Sequence, residues 1–439
     1  MKKILHLHAA RINMGDDALV RAIHSSFHKA LKKYGGAKFF DISSAEFNDD
    51  ADPIENFIPL GSFFKLRFFL KLIRALYESD FVICGGGDLI NGTVSYLGVI
   101  AIAKILGVPV VLLSVGADMR SASKVQRLYS RLIIPFVDAV ILREEGSAEE
   151  FAKLRVPAKK IFKAADIALV LDDAGIKQAK NILKNEQINS SRDHIGISIR
   201  TPEDRRLIWG EKEYLCIAEL CDYITESFGV DIIFVPMLNN KRWHFSSFSK
   251  FDSSYSDEKI SDLIIDKIIN KKNVHVIRGN YTASEIQSLF GSMKIVLGMR
   301  LHSLILSLNA GSPFVAINYS PKSDRFTNLL DIPGITISAH ALNFDMLKQK
   351  VDYVWERRDD LRMLLKEKHG ELKNRALRNT EIALQFMRKK NIFQFWIFII
   401  PAFLFNFFIH IPTYLIANSS ITIFPPFMET CKPKRCQNG

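Results

Sequence analysis

Arg300 and His302 stand two residues apart in Gly298-Met299-Arg300-Leu301-His302, directly after a mostly apolar run at residues 294–297. A guanidinium there can grip a carboxylate or phosphate through two parallel hydrogen bonds. An imidazole beside it can pass protons near neutral pH. The run reads as a strand and its continuation as the start of a helix, whose free N–H groups and positive dipole end favour an anion. Lys322 follows the next such run, residues 314–317, and can reach the same place. Taken as composition alone, Arg-x-His reads equally well as a helix-capping Arg and a core His. Gly86, Gly87 and Asp88 close the run at 81–84. Such glycines admit a ligand close to the backbone or simply turn the chain. Asp88 suits sugar hydroxyls or an internal loop role. Asn13 and Asp16 open a helix, where a carboxylate is favourable whether or not a substrate meets it. Arg200 ends the run at 194–199.

The elements carrying these residues alternate in a regular way. Runs at 3–7, 81–84, 108–115 and 139–142 read as strands, each followed by a polar loop and a helical pattern. A polar stretch at 184–193 interrupts them, and the pattern restarts at 194–199, 231–235, 274–277, 294–297 and 314–317. Repeated βαβ units predict α/β architecture with parallel sheets. Two Rossmann-like domains are expected, at 1–185 and 193–389, the second closed by long charged helices. Ligands of such sheets bind at the carboxyl ends of strands, where the residues above fall.

The chain has 439 residues, too many for one ordinary core. Its 59 basic and 47 acidic side chains leave +12, which favours an anionic partner: phosphorylated substrate, anionic lipid or nucleic acid. No basic platform interleaved with aromatic residues is present, so nucleic acid is disfavoured. Cys84, Cys216, Cys221, Cys431 and Cys436 are odd in number and sparse, unlike a disulfide framework, and no Cys or His pair stands near the last two to complete a zinc site. The N-terminus lacks an apolar run of signal-peptide length, and a cytoplasmic catalytic body is expected.

Residues 391–428 contain no Asp, Glu, Lys or Arg, and basic residues flank them at 388–390 and at Lys432, Lys434 and Arg435. The segment is long for one membrane pass and short for two, with Pro401 and Pro412 inside it. Both flanks on the cytoplasmic side predict a membrane-associated segment, a re-entrant or interfacial hairpin or a single tilted span. A helix pair packed on the protein itself is the alternative. Arg67, Lys71, Arg74 and Glu78 share one face of a helix near 63–78, which reads as a membrane-surface helix or an ordinary α/β helix.

Several pieces in order resemble the polysaccharide pyruvyl transferase family. They are Asn13-Met14-Gly15-Asp16-Asp17-Ala18, Cys84-Gly85-Gly86-Gly87-Asp88, Ser114-Val115-Gly116, Arg143-Glu144 and Ala165-Asp166-Ile167-Ala168-Leu169. The most specific is Gly298-Met299-Arg300-Leu301-His302 with Tyr319 and Lys322 beyond it. The resemblance covers roughly residues 4–325 and leaves the apolar tail outside. It implies a GT-B-like arrangement of the two domains and phosphoenolpyruvate as donor of a pyruvate ketal to a sugar of a cell-surface polysaccharide or lipid-linked glycan. Arg300, Arg200 and Lys322 would then meet the donor's carboxylate and phosphate, with His302 as general acid or base. No metal or other cofactor is called for. A GT-B glycosyltransferase using a sugar nucleotide is the main alternative, and a catalytically idle membrane-bound assembly factor the second.

Overall fold

The computed structural model describes the chain apart from residues 10–12, 44–56, 60–65, 92, 121, 202–208, 239–255, 388–391 and 420–439, and apart from the side chains of 57–59, 88, 392, 394, 418 and 419. Its first half runs β1 (Lys2–Leu7), α1 (Met14–Ala30), β2 (Ala37–Ser43), β3 (Phe57–Pro59), α2 (Leu66–Glu78), β4 (Phe81–Ile90), α3 (Val94–Ile105), β5 (Val110–Ala117), α4 (Lys124–Ile133), β6 (Ala139–Leu142), α5 (Ala148–Lys153), β7 (Ile161–Lys163) and α6 (Ile176–Asn185). The second runs β8 (His194–Ser198), α7 (Glu211–Phe228), β9 (Asp231–Phe234), α8 (Asp257–Ile265), β10 (Val274–Val276), α9 (Ala283–Gly291), β11 (Ile295–Gly298), α10 (Leu301–Asn309), β12 (Phe314–Asn318), α11 (Pro321–Leu330) and β13 (Thr336–Ser338). Helices α12 (Phe344–Glu356) and α13 (Arg358–Gln385) follow. The tail adds α14 (Ile392–Ile397), α15 (Ile399–Phe405), a π-turn at Asn406–His410 and α16 (Ile411–Ser419).

Among the described residues the strands form two sheets, in the orders β3-β2-β1-β4-β5-β6-β7 and β10-β9-β8-β11-β12-β13. All of their pairings are parallel. The near-continuous apolar strands are what burial on both faces requires. Both orders reverse once, between β1 and β4 in one sheet and between β8 and β11 in the other. Each sheet lies wholly on one side of residues 186–193. Helix α13 crosses back to the first half, where Asn379 donates to Ala165 O at 2.8 Å and Ser26 bonds Thr380 at 2.6 Å.

The tail does not stand apart from the protein. Helices α15 and α16 pack on α3 and α4, and Phe395, Ala402 and Ala417 join the core built on the first sheet. Ala402, Asn406 and His410 recur every four residues and face inward. His410 Nδ1 meets the Tyr129 hydroxyl at 3.0 Å, and its ring fills the space a side chain at Gly98 would need. This cover explains how α3, almost wholly apolar, is buried from Val94 to Ala103. Residues 399–417 form a single helix long and apolar enough to cross a membrane, with no hairpin among the described residues. Helix α2 buries Phe68, Phe69, Leu72, Ile73, Ala75 and Leu76 as an ordinary α/β helix does, while Phe69 also packs edge-on against Phe403.

Candidate active site

Ligand sites in open α/β sheets form where the strand order reverses, outside the carboxyl ends of the strands. Asn13 and Asp16 follow β1, and Gly86 and Gly87 lie in β4, so they flank the first reversal. Arg200 follows β8 by two residues and Arg300 follows β11 by two, flanking the second. The two reversals face each other. Met14 N donates to Met237 O at 2.8 Å, and the buried Asp17 carboxylate accepts from Ala283 N at 2.7 Å. That carboxylate lies at the N-terminus of α9, where Thr282 and Glu285 make the reciprocal cap the sequence predicts.

The start of α1 is tied off locally. Asn13 Oδ1 accepts from Asp16 N at 3.0 Å and its Nδ2 donates to Asp16 Oδ2 at 2.7 Å. Gly15 is required by a close approach, since a Cβ there would lie 2.2 Å from His302 Nδ1. His302 stands in the first turn of α10, which Arg300 opens. Its Nε2 is buried without a hydrogen-bond partner among the described residues and lies 3.9 Å from Asp166 Oδ2. Burial lowers the imidazole pKa to about 4, and the Arg143 and Arg300 charges work the same way against Asp166. His302 is therefore neutral at pH 7. Desolvation pushes the Asp16 carboxyl up to about 7, against the opposing pull of Arg300 and Arg143. One proton carrier thus waits empty while its neighbour titrates at neutrality.

Arg300 is more committed than its sequence context suggests. Its Nε and Nη2 each donate at 2.6 Å to the two oxygens of Asp257, which is fully buried. Asp257 also accepts from Met237 N and Leu238 N at 3.1 Å. The fork expected to grip a ligand thus holds a protein carboxylate instead, and among the described residues nothing bonds Nη1. Arg200 donates to the Tyr319 hydroxyl at 3.1 Å and lies 5.3 Å from that ring's centre. No described contact joins it to Arg300 or His302. Lys322 lines a cleft with Arg143, Glu144, Asp166, Arg325 and an apolar wall that includes Leu301. Burial lowers the Lys322 pKa, and the Arg325 charge adds to this. The Asp88 side chain lies outside the described residues. Gly86 and Gly87 take φ of 84° and 100°, and a Cβ at Gly86 would press on Leu19 of α1 at 3.0 Å, so these glycines serve helix packing as well as any ligand.

Four participants stayed outside the residues singled out for chemistry. Arg143 directly follows β6 and reaches Asp166 Oδ2 at 3.5 Å. Asp166 is held by Ala168 N and by its neighbour Ile167, whose N–H donates to Ser114 Oγ at 2.9 Å. Ser114 sits at φ 51°, a costly backbone state for a residue with a Cβ. Arg325 lies one turn beyond Lys322 and bonds Glu144 of the first half at 2.8 Å. Both Arg143 and Asp166 fall inside pieces of the family resemblance that were given no chemical role, so position just past a strand was the available signal. Asp257 had none, because only the fold brings it to Arg300.

The family description polysaccharide pyruvyl transferase matches residues 13–321, which takes in Asp16, Arg143, Asp166, Asp257, Arg300 and His302 and ends just before Lys322 and Arg325. The chain belongs to this family. The amylovoran biosynthesis protein AmsJ of Erwinia amylovora is 24% identical over 230 residues, covering 51% of this chain and 53% of that protein. The match thus spans about half the length of that relative. Among solved structures, the UDP-GlcNAc 2-epimerase of Methanocaldococcus jannaschii is similar with a TM-score of 0.57 at 14% identity, over 88% of this chain and 100% of that one. Anabaena HepE, solved with UDP and glucose, gives 0.52 at 14% identity over 88% and 99%. These likenesses concern the fold alone, two Rossmann-like domains in a GT-B-like arrangement.

Proposed function

We propose that the protein transfers the pyruvyl group of phosphoenolpyruvate to two hydroxyls of one sugar in a polysaccharide or lipid-linked glycan, forming a cyclic ketal. The observation that carries this reading is that Arg143 and Arg300 act on one neutral imidazole and one carboxyl titrating near pH 7, while Arg143 also lines a cleft with Lys322 and Arg325. A donor bearing both a carboxylate and a phosphate needs several cations within a few ångströms. Protonation of the donor methylene forms a C–H bond and leaves the central carbon electron-poor. Two sugar oxygens then bond to that carbon, and the bond from carbon to the phosphate oxygen breaks. Of the two hydroxyl protons released, one restores the acid and one leaves on phosphate. Asp16 serves as the acid and His302 as the base toward a hydroxyl. Lys322 and Arg325 meet the phosphate, with Arg143 and the outer edge of Arg300 toward the carboxylate. Arg200 and Tyr319 border the acceptor side with Asn13, Gly86, Gly87 and Asp88. Phosphate release from phosphoenolpyruvate in the presence of lipid-linked glycans tests the reading. Consumption of a sugar nucleotide, without binding of phosphoenolpyruvate, would replace it with glycosyl transfer.

The same reading includes a place at the membrane surface, on the cytoplasmic face. The outer side of the tail exposes Phe393, Trp396, Ile400 and Phe408. The flanking helices continue that surface with Leu70 on α2 and Leu132 on α4. Arg67, Lys71 and Arg74 on α2, and Lys124, Arg127 and Arg131 on α4, are exposed among these apolar groups. An apolar face rimmed by cations suits an anionic bilayer, entered to the depth of its headgroups. Because the inner side of residues 399–417 is docked on α3, the helix supports lying in the surface rather than crossing it.

A further inference from the structure

Three histidines and one aspartate converge behind the glycine-rich strand, away from every group used above. His6 lies on β1, His8 just past its end, His24 on α1 and Asp41 on β2. His6 Nδ1 is 3.2 Å from His24 Nε2, and these two atoms are 3.5 and 3.1 Å from Asp41 Oδ1. His8 Nε2 approaches the same oxygen at 3.2 Å. His6 Nε2 faces Gly85 O at 3.4 Å and His8 Nδ1 faces Ala9 O at 2.6 Å. A carbonyl only accepts, so each of those nitrogens carries a ring proton. The other nitrogen of each ring then turns a lone pair toward the centre. His8 is buried, and its Nε2 has no hydrogen-bond partner among the described residues. The ligand atoms of His6, His24 and Asp41 all lie within 4.8 Å of one another, and His8 approaches the same Asp41 oxygen from just past the end of β1.

We propose that His6, His8, His24 and Asp41 form a binding site for one divalent transition-metal ion of the zinc class. Ligand atoms about 2.0–2.1 Å from a tetrahedral ion lie about 3.4 Å apart, and the His6, His24 and Asp41 atoms already stand near that spacing. Three imidazole nitrogens with one carboxylate oxygen suit zinc better than magnesium or calcium, which favour oxygen. The outward N–H of His6 and of His8 rests on a backbone carbonyl, the usual outer support of a metal-bound imidazole. His24, whose side chain is 28% exposed and stacked on Phe39, gives the ion a way in. Bound there, the ion ties β1, β2 and α1 together. Through His6 and Gly85 it also steadies the glycine run beside the cleft. The sequence hides the set because its members are spread over residues 6 to 41 without a metal-binding spacing.

The test uses full-length protein bearing no histidine tag, with Cys431 and Cys436 changed to Ser so that thiols cannot compete. After chelator treatment and dialysis, cobalt(II) is titrated and the visible bands of a tetrahedral complex are followed, with zinc in competition and thermal unfolding in parallel. One equivalent should bind, zinc should displace it, and zinc should raise the melting temperature. His24→Ala, the change least demanding of the core, should weaken binding by more than about 100-fold, beyond what loss of an outer support costs. Absence of tetrahedral cobalt bands from the parent protein overturns the proposal whatever the variant does. Equal affinity in a folded His24→Ala protein overturns it too. Should that variant not fold, the parent titration with His8→Gln decides in the same way.

Discussion

Gly15→Ala sets two opposing effects against each other at the centre of the cleft. Gly15 lies in the first turn of α1 without a positive φ, so the backbone accepts alanine. Helix propensity alone would then stabilise the protein by about 0.5–1 kcal/mol. The new methyl, however, would lie 2.2 Å from His302 Nδ1, 2.7 Å from its Cγ and 2.9 Å from Asn13 Oδ1. Comfortable non-bonded contact needs about 3.5 Å, so the ring must retreat by roughly 1 Å or the helix must shift. Such overpacking costs about 1–3 kcal/mol, which outweighs the propensity gain. A displacement of about 1 Å at a reacting group lowers turnover about 100-fold. Differential scanning fluorimetry and phosphate release at saturating phosphoenolpyruvate read the two effects separately. The control is Gly370→Ala in α13, where a Cβ meets nothing within 4 Å, and which should gain stability. A Gly15→Ala protein as stable as that control, with unchanged turnover, would falsify the placement of His302 against α1.

Three further outcomes follow from the same geometry. Protonated Asp16 and neutral His302 are both required, so kcat/KM should hold between pH 4 and 7, the values of His302 and Asp16, and fall as pH rises through 7 and Asp16 loses its proton. Asp16→Asn should lower turnover by about 10²–10⁴-fold while donor binding persists, and a wild-type profile still flat about two pH units higher would remove Asp16 from the reaction. Asp257→Ala strands the Arg300 guanidinium and should cost about 3–5 kcal/mol in denaturant unfolding, with Asp257→Ala/Arg300→Met losing less; equal losses would show that the pair is not coupled. A chain ending at Lys390 uncovers α3 and should aggregate rather than stay soluble, whereas Phe408→Glu should fold normally yet sediment poorly with anionic vesicles. A soluble, active truncation would mean that the tail's packing on α3 contributes nothing.

The alternation of apolar runs and polar loops made the central strands legible because a strand buried on both faces must be continuously apolar. The three-residue edge strands β3, β7 and β13 escaped that reading, although the equally short β10 did not, and the interior strand β2 escaped it too, because its apolar run is broken by Lys38 and Asp41. Strand β4 was read as ending at Cys84, but it pairs with β5 beyond the glycines as far as Ile90. Positions at strand ends were equally legible: Arg300 follows β11 and His302 lies in the first turn of α10, as the pattern implies. What sequence cannot carry is which charge meets which. The tie of Arg300 to Asp257, 43 residues away, turned an expected ligand fork into a largely structural one. The amphipathic helix α2 shows the same limit: its basic stripe was visible, but the tail that packs beside it was not.

The charges around the cleft also set an order of events. In the empty cleft burial, with the Arg143 and Arg300 charges working against Asp166, keeps the His302 imidazole too weak a base for a sugar hydroxyl. An anion bound among Arg143, Lys322 and Arg325 reverses that field. One unit charge at about 4 Å, at the effective dielectric of a protein surface, contributes about 4 kcal/mol, or about three pKa units. That is enough to bring His302 from about 4 to near neutrality, where a general base is most effective. The same charge raises Asp16 further and keeps it protonated, as an acid aimed at the donor must be. Sugar hydroxyls carry no charge and cannot make either change. On the proposed reading the donor should therefore bind before the acceptor becomes reactive, and an acceptor analogue that bound and reacted first in steady-state kinetics would refute this order.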